Sequence, residues 1–405
     1  MGRSGVGCPL LTAEVGDLNR IAFLDVLRGV ALFGILLVNV FSFGADYPAW
    51  SGMIDQLAWQ AKHVLFETKF WMLYSLLFGI GFFLQTQSPE YTTARSLRRL
   101  TVLMFLGYLH GLLFEGDILM LYAELGVLLL LLYRLPTNWL LSIGLVLALS
   151  FPLGHLLGGD RGDEWPAENA MEAASWLEED RDYSPLAVGS FTEVLAYHAT
   201  FLPERFWADW QYPDSGFLVL ACFLLGFCLM RSDWGALARL TRAQSIFTAL
   251  GLWVLGLSLM AIERYWSGAV GYMPFALSDA TPQQVLGGDL VYLAATLSLT
   301  GAWFCSVWCW VQGGWLVGVR NLIASAGQMS LTGYLSQTVI FTTVFYGYGL
   351  GAAFVWGPAQ VVAFAVVVYS LQLLLCYLWL QRFRRGPLEW LWRCLTYWRW
   401  EPMRR

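Results

Sequence analysis

In Leu24-Asp25-Val26-Leu27-Arg28-Gly29 a carboxylate and a guanidinium stand at the mouth of an apolar run that ends at Phe43. Ionisable groups inside a bilayer cost several kcal/mol unless paired or hydrated, so such a pair marks a working site or an ion pair that orients the helix. Asp25 and Arg28, at i and i+3, share one helical face. Asn39 lies about three turns beyond Arg28 and continues the same polar stripe. A guanidinium at that position suits a phosphate or another anionic group.

A second cluster of reactive types occurs in Gly107-Tyr108-Leu109-His110-Gly111-Leu112-Leu113-Phe114-Glu115-Gly116-Asp117. An imidazole beside a carboxylate serves as a general base, because the carboxylate orients the ring and stabilises its cation. Glu124 falls about two turns beyond Asp117 and adds a third carboxylate near the same depth. The alternative is that His110 bonds a neighbouring helix while Asp117 caps the helix after it. Lys69, in Glu67-Thr68-Lys69-Phe70, could pair with Glu67, snorkel outward, or face Asp117 or Glu115. Further along, Ser330, Tyr334, Gln337 and Thr338 lie within one broad helical face, where they either line a cavity or accompany close packing of the small residues Ala326, Ser330 and Gly333.

These groups need a scaffold, and composition states which. The 405 residues are 58% hydrophobic and 13% charged, far from the roughly 25% charged make-up of a soluble domain. Apolar stretches of roughly 20 residues recur, so the expectation is an all-α, polytopic membrane protein with about ten transmembrane helices. They read as 22–43, 64–85, 98–114, 118–134, 138–158, 215–231, 243–266, 287–311, 322–346 and 353–381. The first span has no small-residue cleavage site and reads as a retained helix. Seventeen basic residues then fall on one side against five on the other, which orients the chain N-in and C-in. This topology puts Asn39, Lys69, His110 and Asp117 in the outer third of the membrane and Asp25 and Arg28 in the inner third.

The chain divides into a cytoplasmic segment 1–21, a first bundle 22–158, an acidic loop 159–214, a second bundle 215–381 and a tail 382–405. The loop holds thirteen Asp or Glu against three Arg; it reads as a solvated outer cap that disfavours a strongly anionic substrate. In the tail, Pro387 opens a helix whose Leu388, Leu391, Leu395 and Trp398 form an apolar face flanked by Trp and Arg, so the helix is expected to lie in the inner interface. Cys222, Cys228, Cys305, Cys309 and Cys376 sit in apolar runs without histidine or carboxylate partners, so neither a metal site nor a disulfide framework is expected. No phosphate-binding glycine loop, serine elbow or zinc-protease signature occurs.

Ordered motifs through nearly the whole chain carry a resemblance. They are Leu24-Asp25…Arg28-Gly29…Gly34-Ile35-Leu36-Leu37-Val38-Asn39, Lys69-Phe70 to Leu77-Phe78-Gly79, His110-Gly111-Leu112-Leu113-Phe114, Gly116-Asp117-Ile118-Leu119, Met329-Ser330-Leu331-Thr332, Tyr334-Leu335, Gln337-Thr338, and Phe383-Arg384-Arg385-Gly386-Pro387-Leu388-Glu389-Trp390-Leu391-Trp392. The sequence resembles the YeiB family of bacterial inner-membrane proteins, a domain of unknown function. Gln328 stands where that family commonly has arginine, and Gly333 where it often has asparagine. The family is similar, more remotely, to transmembrane acyltransferases such as heparan-glucosaminide N-acetyltransferase and bacterial O-acetylases, which share an Asp/Arg-Gly opening and an intramembrane histidine.

The resemblance implies transfer of an acyl group from cytoplasmic acyl-coenzyme A to a small-molecule or glycan acceptor at the membrane or its far side. In that reading His110, Asp117 and Lys69 are catalytic, while Asp25, Arg28, Asn39, Glu124, Tyr334 and Gln337 bind substrate. The partners expected are membrane lipids and a second copy of the chain, not nucleic acid. A transporter of a small polar or lipid-linked metabolite, with His110 and Asp117 as proton relay, is the alternative; a non-catalytic membrane scaffold is a third.

Overall fold

A computed structural model describes residues 15–45, 50, 52–156, 170–211, 216–232, 241–267 and 282–405. Most of segment 1–21 and the start of the acidic loop lie outside the described residues. The elements are α1 (Val15–Asn39), a 3-10 turn (Val40–Phe43), α2 (Met53–Ala61), a π-helical turn (Lys62–Phe66), α3 (Lys69–Thr86), α4 (Thr93–Gly111), α5 (Leu119–Leu132), α6 (Thr137–Leu156), α7 (Ala170–Tyr183), α8 (Pro185–Val188), α9 (Phe191–Gln211), α10 (Gly216–Arg231), α11 (Arg242–Ser267), α12 (Pro282–Gly313), α13 (Val317–Gln328), α14 (Ser330–Phe345), α15 (Pro358–Arg382) and α16 (Pro387–Tyr397). The fold is all-α; among the described residues the only β-type pairing is an isolated bridge between Phe383 and Arg404.

Among the described residues, five stretches are long and apolar enough to cross a membrane: Ala22–Phe43, Met53–Thr86, Arg242–Tyr265, Gln283–Gly313 and Pro358–Arg382. Leu119–Leu132, Thr137–Leu153 and Gly216–Arg231 are shorter apolar helices. Backbone polar groups find no water in hydrocarbon, and a helix satisfies them internally, which is why these runs are helical. The protein is an integral membrane protein. Apolar side chains left exposed on α6, α11 and α15, such as Val146, Phe247, Val254 and Leu375, are at home against lipid and need no protein partner.

α1 lies at the centre of the bundle, with Phe23, Leu24, Leu27, Leu32 and Leu36 buried. It meets α13 backbone to backbone. A Cβ on Gly327 would stand 1.9 Å from the Asp25 carbonyl oxygen, and one on Gly29 would stand 2.2 Å from that of Ile323. Only glycine permits this approach. α14 runs alongside α1 in the same direction, with Gly333 against Leu32 and with Phe341 and Phe345 against Phe43.

Two of the expected spans are not continuous helices. The stretch read as 322–346 breaks at Met329 (φ −113°, ψ 31°), between α13 and α14. The break is stabilised from outside: Glu389 of α16 accepts from Leu331 N at 2.7 Å, Thr332 N at 2.9 Å and Thr332 Oγ1 at 2.6 Å. A carboxylate on the first free N–H groups of a helix caps it and complements its dipole. The stretch read as 64–85 begins with the π turn and an interruption at Glu67-Thr68 before α3 resumes.

Candidate functional site

His110 is the penultimate residue of α4, and Asp117 precedes α5 by two residues. Gly107 lets the two helix ends meet, because a Cβ there would stand 2.5 Å from Met120 N and 3.0 Å from Asp117 Oδ2. Asp117 Oδ2 accepts from Met120 N at 2.8 Å, satisfying one of the first-turn donors of α5. Its other oxygen, Oδ1, lies 2.7 Å from His110 Nδ1. A carboxylate at Nδ1 requires the ring proton there, so Nε2 of the neutral imidazole is an acceptor. At 2.7 Å from Nε2 stands the Thr338 hydroxyl, contributed by the middle of α14. All three side chains are buried.

Tyr334 covers this group. Its ring lies 4.9 Å from the imidazole, and its hydroxyl donates to the Gly116 carbonyl at 3.1 Å. Thr338, at i+4 from Tyr334, falls on the same face, whereas Gln337 turns towards α15 and donates to Gln372 Oε1 at 2.8 Å. Glu124 is buried along α5. Asn39, half-buried at the junction of α1 with the 3-10 turn, makes no side-chain capping bond. The carboxylate–imidazole pair was legible in the sequence. Thr338 was visible only as one hydroxyl on a polar face, since nothing in a sequence separation of 228 residues joins it to His110.

At the other end of α1, Arg28 Nη1 donates to Asp25 Oδ1 at 3.2 Å. Gln328 Nε2 donates to Asp25 Oδ2 at 2.9 Å, so Gln328 sits on the carboxylate of this pair. Tyr74 lies near both Arg28 and Ser330. Arg99 repels Arg28, donates to Gln85 at 3.0 Å and lies 4.3 Å over the ring of Trp392. Ser330 is eight residues before Thr338 on α14, so by helical rise the two polar sites are roughly 12 Å apart along the bundle.

Lys69 belongs to neither site. Its ammonium, fully buried, donates to the His63 carbonyl at 2.8 Å and lies 5.6 Å over the Tyr292 ring. Around it, Lys62 pairs with Glu67 at 3.1 Å, and the His63 ring also holds Glu67. Lys62 and His63 are buried as well. Glu67-Thr68-Lys69 forms a γ-turn, with Lys69 N donating to Glu67 O at 2.6 Å and Thr68 at φ 63°, ψ −45°. Positive φ is strained for a β-branched residue, and the Thr68 hydroxyl is tied to that of Tyr292 at 3.0 Å. The sequence places Glu67 beside Lys69 but carries no sign of the broken helix that gathers Lys62 and His63 with them.

A profile described as "Protein of unknown function (DUF418)" matches residues 229–399, which include α14, α15 and α16. The uncharacterized protein YeiB of Escherichia coli (strain K12) is 34% identical over 405 residues, covering 94% of this chain and 97% of its own. The chain belongs to the YeiB-like family. Within it, the uncharacterized protein YxaH of Bacillus subtilis (strain 168) is similar at 29% identity, over 98% of this chain and 97% of its own. A third relative, an uncharacterized 39.9 kDa protein in the amylase 3′ region of Bacillus acidopullulyticus, is 24% identical over 94% of each chain. No solved structure matches this YeiB-like chain significantly.

Proposed function

We propose that this YeiB-like protein is an acyltransferase of the bacterial inner membrane, taking an acyl group from cytoplasmic acyl-coenzyme A to an acceptor at the membrane or extracytoplasmic face. The observation that carries the reading is His110, held at Nδ1 by Asp117 and at Nε2 by a hydroxyl. A buried imidazole so oriented is built to take a proton from an attacking hydroxyl and return it to a leaving group. Arg28, held by Asp25 and with a second guanidinium, Arg99, nearby, is placed to steady the donor's phosphates. Lys69, bound elsewhere, has no part in this chemistry.

A topology of ten spans with both termini inside fits this reading. The five long and three shorter apolar helices, with α4 and α14, support that count. The start of α4 meets the tail, through Trp392 Nε1 donating to Arg99 O at 2.9 Å, and α1 meets Gln328 close to the Glu389 cap. These contacts favour a shared side for the amino-terminal part of α1 and the tail, the side that carries most of the arginines in this topology.

The test is thiol release from acetyl- and palmitoyl-coenzyme A by purified protein, with binding measured in parallel. Binding lost in Arg28→Ala, and release lost in His110→Ala with binding retained, is the expected result. Absence of binding and release with well-folded protein would overturn it. The broken helix around Lys62, His63, Glu67 and Lys69 favours a second reading, transport, because discontinuous helices with buried charges line substrate paths in carriers. Proton-gradient-dependent uptake in proteoliposomes, lost in Glu67→Gln but not in His110→Ala, would replace the first reading by the second.

A further inference from the structure

We propose that Thr338 is the acyl-carrying nucleophile of the site, so that transfer proceeds in two steps through a threonyl ester. The inference rests on the acyltransferase reading and deepens it. Asp117, His110 and Thr338 stand in the order carboxylate, imidazole, hydroxyl, with 2.7 Å at each junction. That is the arrangement by which a weak hydroxyl nucleophile is activated: the carboxylate fixes the tautomer, and the free ring nitrogen receives the hydroxyl proton. Threonine within a helix ordinarily turns its hydroxyl to a carbonyl one turn back, as Thr300 and Thr343 of this chain do. Thr338 is turned to the imidazole instead.

Position gives the step a purpose. Ser330, Tyr334 and Thr338 follow at i, i+4 and i+8 along α14, one face of the helix. Tyr74 lies near both Ser330, at the start of this face, and Arg28. Thr338 lies eight residues beyond Ser330, roughly 12 Å along the axis, a distance that an extended phosphopantetheine arm spans from a donor held at Arg28. The donor therefore never has to cross: the acyl group moves to the middle of the bundle and is collected there from the other side.

In the first step Thr338 Oγ1 attacks the thioester carbonyl while its proton passes to His110 Nε2. The carbon–sulfur bond breaks and the thiolate takes that proton, leaving free coenzyme A thiol and an ester on Thr338. In the second, His110 Nε2 takes the proton of an acceptor hydroxyl as its oxygen attacks the ester. The ester bond breaks, Thr338 Oγ1 recovers the proton, and the acylated acceptor departs. No oxidant, reductant or metal enters the balance.

The experiment uses full-length protein in detergent with carbonyl-labelled acetyl- and palmitoyl-coenzyme A, quenched in acid and denatured. Wild type is expected to retain label, released by hydroxylamine and mapped by mass spectrometry to Thr338. Thr338→Val, isosteric but without the hydroxyl, loses the label, and thiol release falls by at least about 100-fold. Thr338→Ser, which restores the hydroxyl, recovers to within about 10-fold of wild type and carries label on the serine itself, which a hydroxyl that only holds the imidazole would not do. Monodisperse elution of each variant shows that it is folded. Label on His110, or undiminished transfer by Thr338→Val, overturns the inference and leaves the acyltransferase reading standing. Failure of wild type to release thiol from either donor overturns both.

Discussion

Replacing Asp117 separates what its carboxylate does for the fold from what it does for the imidazole. Asp117→Ala strips the acceptor from two buried donors, His110 Nδ1 at 2.7 Å and Met120 N at 2.8 Å. An orphaned buried donor costs about 1–3 kcal/mol, while hydrogen bonds measured within membranes average nearer ~0.6 kcal/mol. Two such losses give about 1–6 kcal/mol of destabilisation. Asp117→Asn keeps one oxygen for Met120 N and presents its amide N–H₂ to Nδ1. The ring must then accept at Nδ1 and carry its proton on Nε2, pointing at Thr338 Oγ1 instead of accepting from it. Stability falls by only about 1 kcal/mol, but proton transfer is blocked, and an equivalent tautomer error elsewhere costs on the order of 10⁴ in rate. Denaturant titration in bicelles gives the stabilities, and thiol release from acyl-coenzyme A gives the rates. An Asp117→Ala variant within ~0.5 kcal/mol of wild type, or an Asp117→Asn variant of near-normal rate, would refute this account.

Other consequences are local. Glu389→Ala removes the acceptor of three bonds at the start of α14 and is expected to destabilise by about 2–3 kcal/mol; faster proteolysis after the arginines of 382–399 would accompany it, and unchanged proteolysis would count against the cap. At Thr68, held at φ 63°, Thr68→Gly should be more stable than Thr68→Ala by about 1 kcal/mol, reversing the usual order of these two residues; melting temperatures that place alanine first would show the turn to be unstrained. Glu401 is held below the ordinary glutamate range by its bond to Arg393, 2.6 Å away. Because its folded value is depressed, its contribution to tail docking is complete above the ordinary range and is lost as pH falls through the lowered value. The tryptophan emission of Trp390 and Trp400, whose rings are 5.3 Å apart, should therefore shift only at pH below the ordinary glutamate range, and the shift should vanish in Glu401→Gln; a transition at or above that range would contradict the assignment.

Helix type, the presence of several membrane-spanning apolar helices and the pairing of Asp25 with Arg28 and of His110 with Asp117 were legible from residue order. The reason is physical: hydrocarbon leaves an isolated chain segment little choice but helix, and groups three or seven residues apart around one helix or hairpin are neighbours whatever the rest of the chain does. The structure alone determined which of these groups share a site. Thr338 reaches His110 because α14 packs alongside α1, and that packing depends on glycine contacts and on a cap that Glu389 supplies from the tail. Lys69 leaves the His110 group because the helix before it is broken, and a strained turn held by a tyrosine of α12 cannot be read from a window of residues. Local periodicity reports the energy of a segment in its solvent. The site was made by contacts between segments hundreds of residues apart, whose energies appear only when the helices pack.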